Sequence, residues 1–227
     1  MRRAERGFTL IELMLAITVL ALMMMVAWSV ISGTVLTRKN LQERQEREHE
    51  IRVATAVMVR DLTSAYLSSN EDQTMNERRT LFIGKSDSEV DELRFSTLAH
   101  RVLWADANES EQTIVSYAAE EDQEDSRMTN LVRREQRRPS NEPASQERAE
   151  LDVLLRDISR VKFEYYDWRA KEWKETWNST QGDGDRGRVP GRIRITIELE
   201  NGEGADVSKY VTQVRPMMQE ELKFFTN

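Results

Sequence analysis

The chain has 227 residues and no cysteine, so disulfide bonds and thiolate catalysis are excluded. Its formal net charge of −7 makes it a poor electrostatic match for nucleic acid. Once an N-terminal leader and one long helix are set aside, the remainder is long enough for one globular domain with its own core.

A long apolar run opens the chain, from Phe8 to Ile31. Its polar side chains are Thr9, Glu12, Thr18 and Ser29. A helix needs roughly 20 residues to cross the hydrocarbon of a bilayer, so this run is long enough to span a membrane. Three arginines precede the run and favour a cytoplasmic N-terminus by the positive-inside bias, although the Arg38-Lys39 pair beyond it weakens that preference.

Glu12 is the anomaly within the run. A carboxylate at membrane depth costs several kcal/mol, and such a residue is by default a functional candidate. Glu12 also lies close to the start of the run, where a long side chain reaches the membrane interface. Taken alone, the residue fits both a functional and an interfacial role.

The letters around Glu12 favour the functional role. Gly7-Phe8-Thr9-Leu10-Ile11-Glu12, after a basic leader, resembles the class III signal of type IV pilins and type II secretion pseudopilins. In that family a prepilin peptidase cuts after the glycine and N-methylates the new first residue. The resemblance therefore implies a leader over residues 1–7, a cut between Gly7 and Phe8, and methylation of Phe8. Loss of the leader would make the chain two charges more negative, since it holds three arginines and one glutamate.

The same resemblance makes Glu12 the assembly carboxylate. The new amine on Phe8 is a cation, and the Glu12 carboxylate is the charge that fits such an amine on a neighbouring subunit. A buried charge left without its partner is costly, so this group would also penalise misassembled subunits.

Helical patterning continues beyond the apolar run. One apolar face recurs at spacings of three and four residues: Ile51, Ala54, Met58, Leu62 and Ala65. Between this face and the apolar run, residues 42–48 alternate in charge as a solvated helix does. The pattern predicts one helix from near Thr9 to near Leu67, with residues 8–31 in the membrane and 32–67 exposed or packed on a head. The alternative is two helices with a break near Gly33.

Short β-like runs follow, at residues 80–83, 92–97 and 113–117. Residues 118–126 are then strongly acidic and residues 133–138 strongly basic. This pattern predicts a mobile charged insertion over about 120–150, in which Leu131-Val132 is the stretch suited to pair as a strand. The preferred interpretation of both charge runs is solvated surface without a ligand.

The second half of the chain predicts further strands. Residues 151–155 are apolar except for Asp152, and Val161, Phe163 and Tyr165 alternate with charged residues. The clearest strand is 192–199, with aliphatic residues on one face: Ile193, Ile195, Ile197 and Leu199. Asn201-Gly202 then predicts a hairpin turn, with residues 206–214 as the partner strand of an antiparallel sheet packed on the helix.

A cluster of tryptophans precedes that strand, at Trp168, Trp173 and Trp177. Tryptophan is common both in cores and at interfaces, and core packing is the favoured role here.

The order of the head motifs narrows the resemblance. Phe163 to Asp167, Trp173 to Trp177, the Val189-Pro190 step and the alternating strand after it resemble the J-type minor pseudopilin of bacterial type II secretion systems. This implies an α+β, pilin-like fold, in which the long helix packs against an antiparallel β-sheet head over residues 68–227.

The family also implies a function. A J-type minor pseudopilin joins the I-type and K-type minor pseudopilins at the pseudopilus tip, primes the filament of the major pseudopilin and supports protein export. Its expected location is the bacterial inner membrane, in a single pass, with a cytoplasmic N-terminus and a periplasmic head.

The sequence predicts no enzyme, no cofactor and no metal site. His49 and His100 lack the ligand spacing of a metal centre, and neither a Gly-x-Ser-x-Gly elbow nor a phosphate loop is present. Asp183-Gly184-Asp185 weakly resembles a calcium loop without its third carboxylate and bidentate glutamate. An acidic turn is therefore favoured over a calcium site.

Two other functions stay open at this stage. A minor pilin of a type IV pilus or DNA-uptake system would share the signal, and a basic stripe on the folded head would favour it. A membrane-anchored enzyme would need a convergent polar pocket, which the sequence does not indicate.

Overall fold

One helix, α1, covers Leu10–Thr63, a length of 54 residues. The computed structural model describes residues 9–69, 80–87, 90–100, 111–122, 124–137, 149–181, 185–200 and 207–222, except for the side chains of 30–40, 43 and 200. The prediction of a single helix is confirmed, although α1 ends at Thr63 rather than near Leu67. The alternative of two helices broken near Gly33 is wrong.

The chain divides into two compact units, Met1–His49 and Glu50–Asn227. In the first unit, Leu10–Ser29 is long and apolar enough to cross a membrane, and none of it is buried within the protein. Leucine, isoleucine, methionine and tryptophan side chains are exposed all along this stretch. An apolar surface of this length matches the hydrocarbon thickness of a bilayer.

The second unit begins with the last turns of α1, which bury one face. The predicted residues Ile51, Ala54, Met58 and Leu62 are all buried, and Ala65 just beyond the helix is buried with them. Arg52, Val53, Ala56 and Arg60 on the opposite side are exposed. The helix end is therefore amphipathic and packs on the strands that follow.

The described strands after the helix are β1 (Phe82–Lys85), β2 (Glu92–Thr97), β3 (Thr113–Glu121), β4 (Thr129–Gln136), β5 (Glu150–Leu155), β6 (Arg160–Asp167), β7 (Glu172–Lys174), β8 (Trp177–Asn178), β9 (Arg192–Glu200) and β10 (Val207–Val214). They form two antiparallel sheets, one of order β5-β4-β3-β2-β1-β8 and one of order β10-β9-β6-β7. The antiparallel character that the sequence predicts is confirmed, but the strands divide between two sheets rather than one. β2 has its predicted bounds, whereas β1 begins two residues later than predicted.

β9 forms the centre of the second sheet, paired with β10 on one side and β6 on the other. Its predicted apolar face is confirmed, because Ile193, Ile195, Ile197 and Leu199 are all buried. These side chains belong to the same hydrophobic cluster as Met58 and Leu62 of α1. The core therefore lies between the helix end and both sheets.

Aromatic side chains connect the two sheets. Phe82 of β1 meets Tyr165 of β6 edge-on, with ring centroids 5.9 Å apart, and Tyr165 lies 6.5 Å from Trp177. The core role predicted for tryptophan holds for Trp177, which is buried, whereas Trp168 and Trp173 are half-buried. At Gly84 an added Cβ would lie 2.0 Å from the Tyr165 hydroxyl oxygen, so this close approach requires glycine.

Part of the basic run at 133–138 differs from the solvated surface that the sequence predicts, because Arg133 is buried, whereas Arg137 is exposed as predicted. β4 covers Thr129–Gln136 and pairs with β3 and β5, so the strand is longer than the Leu131-Val132 stretch. Arg133 and Glu135 are buried, because each has a charged partner inside the second unit. Residues 138–148 and the Asn201-Gly202 turn lie outside the described part of the chain.

Candidate functional site

Thr9 and Glu12 close the N-terminus of α1 as a reciprocal pair. The Thr9 amide and hydroxyl both donate to Glu12 Oε2 at 3.1 Å, and the Glu12 amide donates to Thr9 Oγ1 at 3.4 Å. This is a capping box, in which a threonine precedes a glutamate by three residues. The carboxylate also lies at the positive end of the helix dipole, which stabilises negative charge.

Only one oxygen of the Glu12 carboxylate takes part in this cap. No described residue donates to Oε1, and the side chain is exposed. A carboxylate has acceptor capacity on both oxygens. Oε1 can therefore bind a cation while Oε2 keeps the cap closed.

Thr18, further along the apolar run, satisfies its own hydroxyl. Its Oγ1 donates to the carbonyl oxygens of Met14 at 3.0 Å and Leu15 at 2.9 Å. Such local bonds are how a polar side chain is tolerated where water is absent. In the sequence from Leu10 to Ser29, Glu12 is the one residue with an ionisable side chain. Gly7 and Phe8, the predicted cleavage and methylation positions, lie outside the described residues.

A second polar site lies inside the second unit, where α1 meets β3 and β4. Asp61 has no exposed surface, and its Oδ2 accepts hydrogen bonds from Arg133 Nε at 2.6 Å and the Tyr117 hydroxyl at 2.8 Å. Arg60 donates to Oδ1 through Nε at 3.1 Å and Nη2 at 3.0 Å. Both oxygens of this buried carboxylate are therefore satisfied.

Arg133 extends this network along the sheet. Its Nη1 donates to Glu135 Oε2 at 2.8 Å and to Asp152 Oδ2 at 3.4 Å. His100 Nδ1 lies 2.8 Å from Glu135 Oε1. Each buried charge of the network thus faces an opposite charge or a hydrogen-bonding ring.

The electrostatics of the network hold its charges in place. Burial favours a lower pKa for Arg133, but the Asp61 and Glu135 carboxylates outweigh it and raise the pKa above the ordinary value. Burial likewise favours a higher pKa for Glu135, but Arg133 and His100 lower it below the ordinary value. Burial and the charge of Asp61 together raise the pKa of Tyr117. The network is therefore a structural link between α1 and the first sheet.

Asp185 is held by protein cations. Its Oδ1 accepts from Lys174 Nζ at 2.9 Å and from Arg188 Nη2 at 3.4 Å. The same two cations bind Asp167, at 2.9 Å for Lys174 and 3.0 Å for Arg188. Burial opposes ionisation of Asp167, but these hydrogen bonds outweigh it and hold the pKa of Asp167 below its ordinary range. With two cations against it, Asp185 does not fit a calcium ligand, and Asp183 lies outside the described residues.

No three histidine or acidic side chains come together as metal ligands in the part of the chain that the structure describes. His49 is exposed on α1, and His100 belongs to the Glu135 network. The sequence analysis missed Asp61, Arg133 and Thr9 as site residues. The Thr9-x-x-Glu12 spacing was a readable signal for the cap, whereas no local pattern marks Asp61 as buried.

Comparison with known proteins gives two family matches. The model of the family described as Type II secretion system (T2SS), protein J matches residues 29–208. The model of the prokaryotic N-terminal methylation motif matches residues 2–28. No curated protein matches the chain.

One similar solved structure is a chain from the GspK-GspI-GspJ complex of the enterotoxigenic Escherichia coli type 2 secretion system. It is 15% identical, with a TM-score of 0.50, and the alignment covers 76% of the present chain and 99% of that one. At this level of identity the likeness shows a shared fold.

Proposed function

This chain belongs to the type II secretion system protein J family of minor pseudopilins, and we propose that it acts as an assembly subunit rather than an enzyme. It joins the I-type and K-type minor pseudopilins in a complex at the pseudopilus tip. There it primes growth of the major pseudopilin filament and supports protein export. The observation that carries this proposal is the family match over residues 29–208, preceded by the methylation motif over residues 2–28.

Maturation removes residues 1–7. The prepilin peptidase cuts between Gly7 and Phe8 and methylates the new Phe8 amine. The position of the helix start supports this site, because α1 begins at Leu10 with Thr9 as its cap. Cleavage there leaves the capping box intact and places the mature N-terminus one residue before it.

Glu12 then pairs with the Phe8 amine of an adjacent subunit. An ammonium and a carboxylate that meet in hydrocarbon cost far less together than either group costs alone. The cap supports this role, since Thr9 holds Oε2 while Oε1 has no donor among the described residues. The same pair penalises a subunit that docks in the wrong position, because each charge then stays buried without a partner.

The mature chain crosses the inner membrane once, with its N-terminus in the cytoplasm and its second unit in the periplasm. The exposed apolar stretch Leu10–Ser29 supports the span. The arginines before it support the orientation. A protein of similar fold occurs in a GspK-GspI-GspJ complex, which supports the I and K types as partners.

Export and processing test this function together. A strain lacking the chain should lose type II secretion and should regain it when the native gene is restored. The protein purified from the restored strain should lack Met1 to Gly7 and carry one methyl group. The Gly7→Trp variant, with the cleavage position blocked by bulk, should remain uncleaved and fail to restore secretion. Normal secretion in the deletion strain, with loss of pili or of DNA uptake, would instead assign the chain to a type IV pilus system.

A further inference from the structure

Trp28 lies at the far end of the membrane-spanning stretch of α1. In the sequence from Leu10 to Ser29 it is the one aromatic residue, and it is the last residue but one of that stretch. Its side chain is 73% exposed. The indole ring is largely apolar with one polar edge, and such rings collect at the boundary between hydrocarbon and lipid headgroups. This amphipathic ring, rather than a free hydrogen-bonding group, suits Trp28 to a contact with the membrane surface.

The length of the apolar run does not by itself fix how deep the helix sits in the bilayer. At about 1.5 Å per residue, a helix from Phe8 to Ile31 would be about 36 Å long, whereas the hydrocarbon is about 30 Å thick. Hydrophobic length alone therefore allows the helix to slide by about 6 Å, or to tilt. Residues that prefer the interface decide between such positions.

The helix between Glu12 and Trp28 is unbroken, so its geometry gives their separation. At about 1.5 Å per residue the two residues are about 24 Å apart along the axis. If Trp28 lies at the outer boundary of hydrocarbon about 30 Å thick, Glu12 of an upright helix lies about 6 Å inside the inner boundary. This depth keeps the Glu12 carboxylate within hydrocarbon, where an unpaired charge is costly.

The position of Trp28 around the helix favours lipid as its contact. Successive residues of an α-helix are turned by about 100°, which places Trp28 about 160° around the axis from Glu12. Trp28 therefore lies almost opposite the side of α1 on which Glu12 meets an adjacent subunit under the proposed function. A side chain on the far side of that contact faces lipid.

We propose that Trp28 contacts the lipid headgroup boundary of the periplasmic leaflet and thereby sets the depth at which Glu12 lies in the membrane. Trp28 is then a positioning residue, which acts on the Glu12 contact through the helix that joins them. This inference rests on the proposed function, from which it takes the single span, the orientation and the role of Glu12.

Fluorescence quenching by brominated lipid measures the depth of the ring. The full chain is reconstituted into vesicles of phosphatidylcholine and phosphatidylglycerol, with bromine either near the headgroup end or near the methyl end of the acyl chains. We expect bromine near the headgroups to quench at least about twofold more strongly. Trp28→Leu should abolish the difference, because the other tryptophans follow the span in sequence. Stronger quenching from the methyl ends would overturn the inference.

The same measurement on the assembled complex distinguishes lipid from a partner helix. The chain is co-expressed with the I-type and K-type minor pseudopilins of the same organism, and the purified complex is reconstituted in the same vesicles. Quenching should persist. Its loss on assembly would place a partner helix against Trp28, which overturns the inference and leaves the proposed function standing. If the native chain formed no complex, the proposed function would fail, whereas quenching of the isolated chain would still decide the depth of Trp28.

Secretion tests whether the depth of Trp28 matters to Glu12. Trp28→Tyr keeps an amphipathic ring at the same place and should keep native secretion. Trp28→Leu combined with Met24→Trp moves the ring by about one helical turn, and with it the depth of Glu12 by about 6 Å. This double variant should be cleaved normally but secrete about tenfold less, which corresponds to 1.4 kcal/mol.

Met24→Trp alone is the matched control, because it adds the same ring at a 66% exposed residue and keeps Trp28. It should secrete normally. Native secretion by the double variant, or an equal loss with Met24→Trp alone, would overturn the positioning role of Trp28.

Discussion

Arg133 Nε donates to Asp61 Oδ2 at 2.6 Å and thereby ties the last turns of α1 to β4. The two residues are 72 positions apart in sequence, and both side chains are buried. Burying two charges costs several kcal/mol for each, and close hydrogen-bonded pairing offsets that cost. Such a pair contributes less to net stability than its short distance suggests, but removing Asp61 leaves the buried Arg133 with Glu135 and Asp152 as its remaining charged partners.

Asp61→Ala should therefore lower the free energy of unfolding of the second unit by about 3 kcal/mol, because Arg133 loses its shortest ion pair. Arg60→Ala is the matched control, since it removes another donor to Asp61 from a side chain that is 53% exposed. Exposed pairs contribute about 0–1 kcal/mol. Urea unfolding of the detergent-extracted chain, monitored by tryptophan fluorescence, measures the free energy of unfolding of both variants. Equal losses would show that Asp61 does not stabilise Arg133.

Two tyrosine substitutions separate a bonded hydroxyl from an unbonded one in the same core. Tyr117→Phe should destabilise the second unit by about 1–2 kcal/mol, because its hydroxyl donates to Asp61. Tyr165→Phe should be neutral or stabilising, because its buried hydroxyl has no hydrogen-bond partner among the residues that the structure describes. Both changes remove one oxygen from a buried ring. The opposite order of stability in the same urea titration would contradict the assigned contacts.

The Asp167 carboxylate predicts a dependence on pH. Its pKa is lowered in the folded chain, so its stabilisation is complete above the unfolded pKa of about 4 and is lost as pH falls toward the folded value. Asp167→Asn should cost about 2 kcal/mol at pH 7, and that difference from the native chain should shrink as pH falls below about 4. Glu172→Gln, an equal charge change at an exposed residue, should cost little at either pH. If the cost of Asp167→Asn grew instead as the pH fell, the ionised carboxylate would not be the form that stabilises the folded chain.

The sequence predicts those helices and strands in which apolar residues recur at a regular spacing. The buried face of α1 and the alternation of Ile193, Ile195 and Ile197 extend over several turns or pleats, so each position supports the next. β8 has 2 residues and no period to detect. The division into two sheets also could not be predicted, because it depends on pairings between strands far apart in the chain.

The polar sites show the same limit. Asp61 follows the solvent-facing Arg60 in sequence and looks like another surface charge, and its partner Arg133 lies in a run of basic residues. Local charge density predicts that such a run is solvated, but the buried carboxylate of Asp61 reverses this for Arg133. Glu12 was recognisable because a carboxylate is rare in an apolar run, and its cap partner Thr9 could have been read from the same letters.

Two substitutions at Glu12 separate the helix cap from the charge. Glutamine serves as well as glutamate in a capping box, so Glu12→Gln should keep the cap and remove only the charge. Glu12→Ala removes both. If the carboxylate pairs with the Phe8 amine, both variants should be inserted and cleaved normally but reduce secretion by roughly tenfold or more, since 1.4 kcal/mol already corresponds to a factor of ten. Secretion lost only with Glu12→Ala would assign the residue to capping alone.

The most direct test of the assembly role is secretion by a strain that carries only Glu12→Gln at native expression, with crosslinking to the other minor pseudopilins measured in the same cells. We predict a cleaved and methylated chain that crosslinks poorly and secretes little. Full crosslinking and full secretion would contradict the account and make Glu12 a tolerated residue at the start of α1.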